Sequence, residues 1–351
     1  MSPTRPLNSP TALANAGLIT AERAASLKPV ADHYAIAVTP FLANQLKDQA
    51  EGSPLSRMFL PTEAELTRLP EELNDPIGDE ANSPVPGIVH RYPNRVLLKP
   101  VAVCPVYCRF CFRREMVGPD LGDALSPKAL NAALDYVRAH PEVKEVILTG
   151  GDPFMLSARR AKALTESLAD IPHLKIIRWH TRMPVADPAR VTPAFVDALK
   201  TRDAAVYVSI HINHLDELSE ETIAAADLMA DAGLVLISQS VLLKDVNDSV
   251  EALADLFQGL VEARIRPYYL HHPDLAPGTS HFRLSVEAGQ ALYEALRDRV
   301  TGLAVPRYVI DIPGGVSKAN AATSDLRDTP EGPALRGRDG KLHPYQRRIA
   351  P

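Results

Sequence analysis

The sequence predicts an α/β protein whose main body is a partial barrel of about six strand–helix units. Short β-branched, apolar runs alternate with helical stretches from about residue 95 onward. The runs at 144–149, 175–180, 205–211, 234–241 and 266–271 begin 29 to 32 residues apart. That is the length of one strand–helix unit, and such repetition implies a parallel sheet beneath outer helices. A chain of 351 residues also suits one barrel of this kind.

The elements follow in order. Residues 1–89 read as a helical and irregular extension, in which 51–87, rich in Pro, Glu and Asn, is expected to wrap the barrel surface. The barrel spans 90–318 and opens with a run at 95–103. Ser126-Pro127 suits a helix N-cap followed by proline at the first helical position. Glu220 and Glu221 after Ser219 suit a helix N-terminus, and Gly233 suits its C-terminal stop. A seventh run lies at 306–312, and 319–351 reads as a polar, loosely packed tail. The first strand-to-strand interval is much longer, about 48 residues, and holds all three cysteines. Loops leaving the C-terminal ends of barrel strands build active sites, so this loop is expected to carry a cofactor. The 31 prolines, well above the usual fraction of about 5%, are read as marks of irregular connections.

Composition excludes several classes. With 46% apolar and 23% charged residues, the chain is not disordered, coiled-coil or collagen-like. Lys plus Arg number 38 and Asp plus Glu 43, a net charge of −5 that offers no chain-wide surface for nucleic acid. No run approaches the roughly 18 apolar residues that span a bilayer. The N-terminus lacks the charged-then-apolar pattern of a secretory signal. The expected location is cytoplasmic, with neither nucleic acid nor membrane as partner.

Cys104, Cys108 and Cys111 are the chain's only cysteines and fall within eight residues. Count, clustering and compartment all exclude a disulfide framework. In C-x3-C-x2-C spacing, three thiolates can hold three irons of a [4Fe–4S] cube. No fourth cysteine exists, so the fourth iron is left for a substrate or cosubstrate to chelate. A zinc site completed by a histidine such as His90 is the alternative.

With Phe110 just before the last cysteine, this motif resembles the signature of the radical S-adenosylmethionine superfamily. The six-unit barrel agrees with the partial, TIM-like barrel of that superfamily. After the second expected strand comes Thr149-Gly150-Gly151-Asp152-Pro153. Glycines there let backbone approach a ligand closely; taken alone, the segment is a tight turn with Asp152 near a helix start. Following the cysteine loop, it resembles the superfamily's glycine-rich segment for the methionyl amino group of S-adenosylmethionine.

Late in the chain stands Asp311-Ile-Pro-Gly314-Gly315-Val-Ser-Lys318. A lysine after a flexible Gly-Gly turn can reach into a barrel mouth, where shielding from water lowers its ammonium pKa and frees the amine for a Schiff base. A solvated loop lysine is the plain alternative. The segment resembles the pyridoxal phosphate (PLP) lysine motif of the lysine 2,3-aminomutase family. That resemblance runs over about residues 85–320. Its landmarks include His90-Arg91-Tyr92-Pro93-Asn94-Arg95, Arg113-Arg114 after the cluster motif, His211-Ile-Asn-His214, Gln239-Ser-Val-Leu-Leu and the segment from Asp274 to Arg283.

The resemblance implies roles residue by residue. Cys104, Cys108 and Cys111 ligate the cluster, Gly150, Gly151 and Asp152 contact S-adenosylmethionine, and His211 lies near its adenosyl moiety. Lys318 carries PLP, with Arg91, Arg95 and Gln239 near the phosphate and Tyr92 beside the cofactors. Arg113 binds the substrate carboxylate, which a guanidinium fork suits. Asp274 and Asp311 clamp the distal ammonium of L-lysine, since two carboxylates in one cavity repel unless a cation sits between them. The implied activity is an isomerase that moves the α-amino group of lysine to C3, giving β-lysine. It implies an external electron donor, such as flavodoxin or ferredoxin, and allows a homo-oligomer.

The chain lacks the extra C-terminal cysteines that bind zinc in the larger clostridial-type aminomutases. In its compact length it resembles the shorter bacterial branch, which includes the enzyme making β-lysine for elongation factor P. Two rival readings stand beside this one. The first is a radical enzyme with a different substrate, such as another amino acid or a peptide-bound lysine. The second is a non-catalytic iron–sulfur or PLP-binding scaffold.

Overall fold

The computed structural model describes residues 5–118, 124–330, 332–337 and 339–345. Among them, nine strands form one sheet in chain order: β1 (Ile88–Tyr92), β2 (Arg95–Val101), β3 (Glu145–Gly150), β4 (Ile176–Thr181), β5 (Ala205–His211), β6 (Val235–Val241), β7 (Arg266–His271), β8 (Arg307–Asp311) and β9 (Lys318–Asn320). Neighbours from β2 to β8 are parallel, and six crossovers join them. The helices Pro127–Ala139, Ala158–Ala169, Pro193–Ala198, Glu220–Asp231, Val250–Glu262 and Val286–Arg299 lie one to a crossover. The curled parallel sheet with outer helices is the partial (β/α)6 barrel that the repeat spacing predicts.

Alternation along the strands sorts the side chains, because successive residues face opposite sides of a sheet. Val96, Leu98, Val146, Leu148, Ile177, Trp179, Val208 and Ile210 turn outward into one core with Leu134, Leu164, Phe257 and Leu296 of the helices. Each fully buried side chain of this size contributes about 1.5–3 kcal/mol. The opposite set faces the barrel interior and mixes apolar Leu97, Ile147 and Val241 with many polar groups: Arg95, Glu145, Arg178, Ser209, Gln239 and Arg307 all line a cavity there. A parallel sheet normally buries both faces in apolar residues, so this inner face is built for something other than packing.

Helix starts follow the sequence. Ser126 accepts a hydrogen bond from the Ala129 N–H, Ser219 accepts one from Thr222, and Gly233 follows the latter helix with φ +85°. Proline placement differs from expectation. Ser9-Pro10, Thr39-Pro40, Ser53-Pro54, Ser126-Pro127 and Thr192-Pro193 each put a capping side chain before a proline at the first helical position. Much of the proline excess therefore starts helices, since a proline there forfeits no hydrogen bond.

Three further corrections concern the flanks. His90–Tyr92 belongs to β1, which pairs antiparallel with β2, so the sheet begins before residue 95. The tail is not merely loose: β9 pairs antiparallel with β8, and β10 (Leu326–Thr329), β11 (Gly332–Arg336) and β12 (Leu342–Pro344) form a small antiparallel sheet. The 51–87 segment does not lie on the outer surface alone. It sends Glu65 and Asp79 inward, both buried, and the Ile77 carbonyl accepts from Arg91 at 2.8 Å. The helices between residues 10 and 59 share a second core with Val106 and Phe110 of the cysteine loop. Among the described residues, no helix is long and apolar enough to cross a membrane.

Candidate active site

The C-terminal ends of the parallel strands open into one cavity of about 430 Å³, within the range of small-molecule sites. Cys104, Cys108 and Cys111 line it, as do Asp311 and Lys318. The thiols and the amine of the Gly-Gly turn thus share one opening. Arg91, Tyr92, Arg95, Arg113, Gly151, Asp152, His211, Gln239 and Asp274 line it too; Gly150 does not.

The cysteine loop is held by backbone bonds to the N-terminal extension. Tyr107 N–H donates to the Ala37 carbonyl at 3.2 Å and Arg109 N–H to that of Met58 at 2.9 Å. Phe110 stacks on His211 at 5.5 Å between ring centroids and meets Phe282 edge-on at 6.1 Å. Withdrawal from water, reinforced by Arg178 and Arg113 for His180 and by Arg182 for His211, depresses both imidazoles well below the usual value, so each is neutral at pH 7. Burial pushes all three thiols up, Cys108 to about 11. Metal loading must therefore displace protons. Among the described residues, no three His, Cys, Asp or Glu groups converge on a point suited to one ion. All three thiols face the same cavity, and thiolates are the donors that an iron–sulfur cluster takes. His90 is engaged elsewhere, its Nδ1 2.8 Å from the Tyr136 hydroxyl.

The glycine segment has a task in the fold that its expected role did not include. A Cβ on Gly151 would lie 2.4 Å from the Val103 carbonyl oxygen and 2.6 Å from its nitrogen, and one on Gly150 would lie 2.9 Å from the Lys99 Cβ. The glycines admit the strand that leads into the cysteine loop. Gly151→Ala is accordingly expected to destabilise the fold by about 1–3 kcal/mol, as overpacking does. A lower melting temperature together with reduced iron uptake checks this, and unchanged values of both would refute it. The Asp152 carboxylate is committed to the protein, accepting from Phe154 N–H (2.9 Å), Arg182 N–H (2.7 Å) and the Thr181 hydroxyl (2.8 Å).

At the other edge, Asp311 and Lys318 face each other across the β8–β9 pairing. The Lys318 ammonium forms an ion pair with the Asp311 carboxylate, and the Lys318 N–H donates to the Tyr92 hydroxyl at 2.8 Å. His271 Nδ1 lies 3.6 Å from Asp311, and Arg91 lies 4.0 Å from it. Burial opposes its charge, but the His271 and Lys318 partners prevail and hold its carboxyl well below the usual range. The Gly-Gly turn is closely packed at its second glycine. Gly315 has φ +80°, and a Cβ there would lie 2.2 Å from the Ile77 carbonyl oxygen, so the 51–87 segment clamps the turn.

Asp274 contrasts with Asp311. Burial and the nearby Asp311 charge push it up to about 7. Arg113 donates through Nε to Asp79 at 3.0 Å, and Lys99 Nζ is 3.7 Å from the same carboxylate. The Asp79–Arg113 pair escaped the sequence reading because the residues are 34 positions apart and no motif marks Asp79. Three further cationic groups line the strand-start end of the cavity: Arg95, which lies 3.7 Å over the Tyr92 ring, Arg178 and Arg307. Arg178 and Arg307 were also missed, although both sit at inward-facing positions of apolar strands.

A family model described as the Radical SAM superfamily matches residues 98–257. The chain is 40% identical to an L-lysine 2,3-aminomutase of Clostridium subterminale over 283 residues, covering 81% of this chain and 68% of that protein. It is 36% identical to the L-lysine 2,3-aminomutase of Escherichia coli strain K12, covering 81% of this chain and 82% of the relative. A glutamate 2,3-aminomutase of Clostridioides difficile is 33% identical, with 83% and 68% covered.

Proposed function

The chain belongs to the lysine 2,3-aminomutase family of the radical S-adenosylmethionine superfamily, and from that premise we propose that it converts L-lysine to β-lysine. It is an isomerase that moves an amino group, and its family implies a [4Fe–4S] cluster, S-adenosylmethionine and PLP. The observation that carries lysine as substrate is the acidic end of the cavity. Asp311 already holds one alkylammonium, that of Lys318, and Asp274 lies close enough to feel its charge. A side chain ending in an ammonium relieves the repulsion between the two carboxylates, whereas glutamate would add a third negative charge.

The donor sets suit the cofactors. Cys104, Cys108 and Cys111 would hold the iron, with Gly151 and His211 beside S-adenosylmethionine. Lys318 would carry PLP, and Arg95, Arg178 and Arg307 offer cations for its phosphate. When bound, S-adenosylmethionine and the cluster supply a hydrogen-abstracting radical, and PLP supplies delocalisation of the unpaired electron. Arg113, braced through Nε by Asp79, presents its remaining N–H groups to the substrate carboxylate. Asp274 and Asp311 fix the distal ammonium, so the two ends of the substrate set where C3 lies. Asp311 would exchange the Lys318 ammonium that it holds for the ammonium of the substrate.

Anaerobic incubation with L-lysine, PLP, reductant and S-adenosylmethionine is expected to yield β-lysine, identified by mass and chromatography. β-Glutamate from L-glutamate, with no β-lysine from lysine, would overturn the reading. The Asp274 carboxyl also gives a pH signature. Lysine binding needs it charged, so KM for lysine is expected to fall as pH rises from about 6 to about 8. Asp274→Asn is expected to raise KM and flatten that profile while sparing cleavage of S-adenosylmethionine. Equal loss of both activities would make Asp274 a structural residue.

We propose further that residues 1–89, 90–318 and 319–351 act as extension, barrel and tail of one catalytic unit. The electron donor is proposed to be a small external redox protein such as flavodoxin or ferredoxin.

A further inference from the structure

Arg182 is a buried cation that the proposed reaction leaves without a task. It follows β4, its side chain is only 6% exposed, and its Nη1 lies 3.3 Å from the Cys108 Sγ. Its Nη2 is ion-paired with Glu217, which is fully buried. The other Glu217 oxygen accepts from the backbone N–H groups of Asn213 (2.6 Å) and His214 (3.0 Å). Phe59 and Phe110 flank the guanidinium, with ring centroids 4.7 Å and 5.3 Å away. The Arg182 backbone N–H is anchored on Asp152 at 2.7 Å. A guanidinium held on so many sides has little freedom to leave the sulfur.

We propose that Arg182 is a positioning residue that raises the reduction potential of the cluster by donating a charge-assisted N–H···S hydrogen bond to the Cys108 thiolate, with Glu217 as the counter-charge that limits the effect. This rests on the reading that the three cysteines hold a [4Fe–4S] cluster. Reduction adds one electron, and hence one negative charge, to the cluster. A fixed cation and an N–H aimed at a ligand sulfur stabilise that charge and favour the reduced form. Burial strengthens the interaction because little water screens it. The Glu217 carboxylate acts in the opposite sense from one residue farther away.

The opposite signs make the test sharp. The full chain is reconstituted anaerobically with iron and sulfide, its iron content is measured, and the cluster is titrated potentiometrically with EPR detection in the absence of S-adenosylmethionine. Arg182→Met is expected to shift the midpoint to lower potential, Glu217→Gln to higher potential, and Arg182→Lys to leave it near that of the parent. General loosening of the site would move the Met and Gln variants in one direction, and such a result overturns the proposal. Unmoved midpoints in all three variants overturn it as well. Should Arg182→Met fail to hold iron, the Glu217→Gln and Arg182→Lys pair decides by the same criteria. A parent chain that takes up iron but forms no [4Fe–4S] cluster removes the cluster reading and this inference with it. A normal cluster with unshifted variants removes the inference alone.

Discussion

Replacing Lys318 with alanine is expected to end amino-group migration, with turnover down by more than about a hundredfold, while the cluster still assembles. The amine has a fixed address: it opposes Asp311 across a strand pair, its backbone is tied to Tyr92, and the preceding turn is clamped by Ile77. Among the described residues, Lys318 is the one lysine that lines the cavity. Lys99, which is paired with Asp79, does not line the cavity. Loss of the covalent anchor leaves PLP to bind through its phosphate alone, and misplacement of a reacting group by an ångström already costs on the order of a hundredfold. The checks are the visible absorbance of PLP in the protein, iron content, and turnover with lysine. Retained lysine-linked PLP absorbance in Lys318→Ala would reject the assignment.

The largest expected loss of stability comes from Glu65→Ala. Glu65 lies in the extension, yet it accepts from Arg109 Nε at 3.0 Å and also binds Arg114, the two arginines that bracket the last cysteine. Arg114 further donates to the Gly278 carbonyl at 2.9 Å, close to the loop that bears Asp274. One carboxylate therefore ties together the extension, the cysteine loop and the loop after β7. Its removal leaves two buried cations uncompensated, a loss of about 3–5 kcal/mol. That is a large share of the roughly 5–15 kcal/mol that separates folded from unfolded protein. A marked fall in melting temperature with loss of iron binding is expected, and wild-type stability would refute the role.

The same group gives an acid signature. Burial opposes the Glu65 charge, but the guanidinium groups of Arg109 and Arg114 prevail and lower its pKa. A carboxyl lowered in the folded state adds stability above its unfolded value of about 4.3, and that stability is lost as pH falls through the lower folded value. The parent should therefore lose more stability on acidification through that window than Glu65→Gln does, as read by melting temperature against pH.

The barrel was legible because each strand–helix unit repeats at nearly constant length, and Ser126-Pro127 marked one helix start. The cysteine loop was legible because ligand spacing is local in sequence. The antiparallel edge strands were less so: β1 and β9 are short, and each is completed only by its partner. The expected role of the glycines was incomplete for a related reason. Gly151 and Gly315 are required by the backbone of Val103 and of Ile77, both far off in sequence, and neither close approach is written in the turn itself.

By itself, the amino-acid order determined the repeating architecture, the three-thiol loop, and a lysine and two aspartates in positions characteristic of a family. Only tertiary structure decided that the 51–87 segment reaches inward to brace Arg113, Arg109 and the Lys318 turn, and that Arg182 meets a cysteine sulfur. The physical reason is that repeats and ligand motifs depend on neighbours along the chain. A buried charge, by contrast, is stable only beside a counter-charge, and that partner can come from any segment the fold brings within hydrogen-bonding distance.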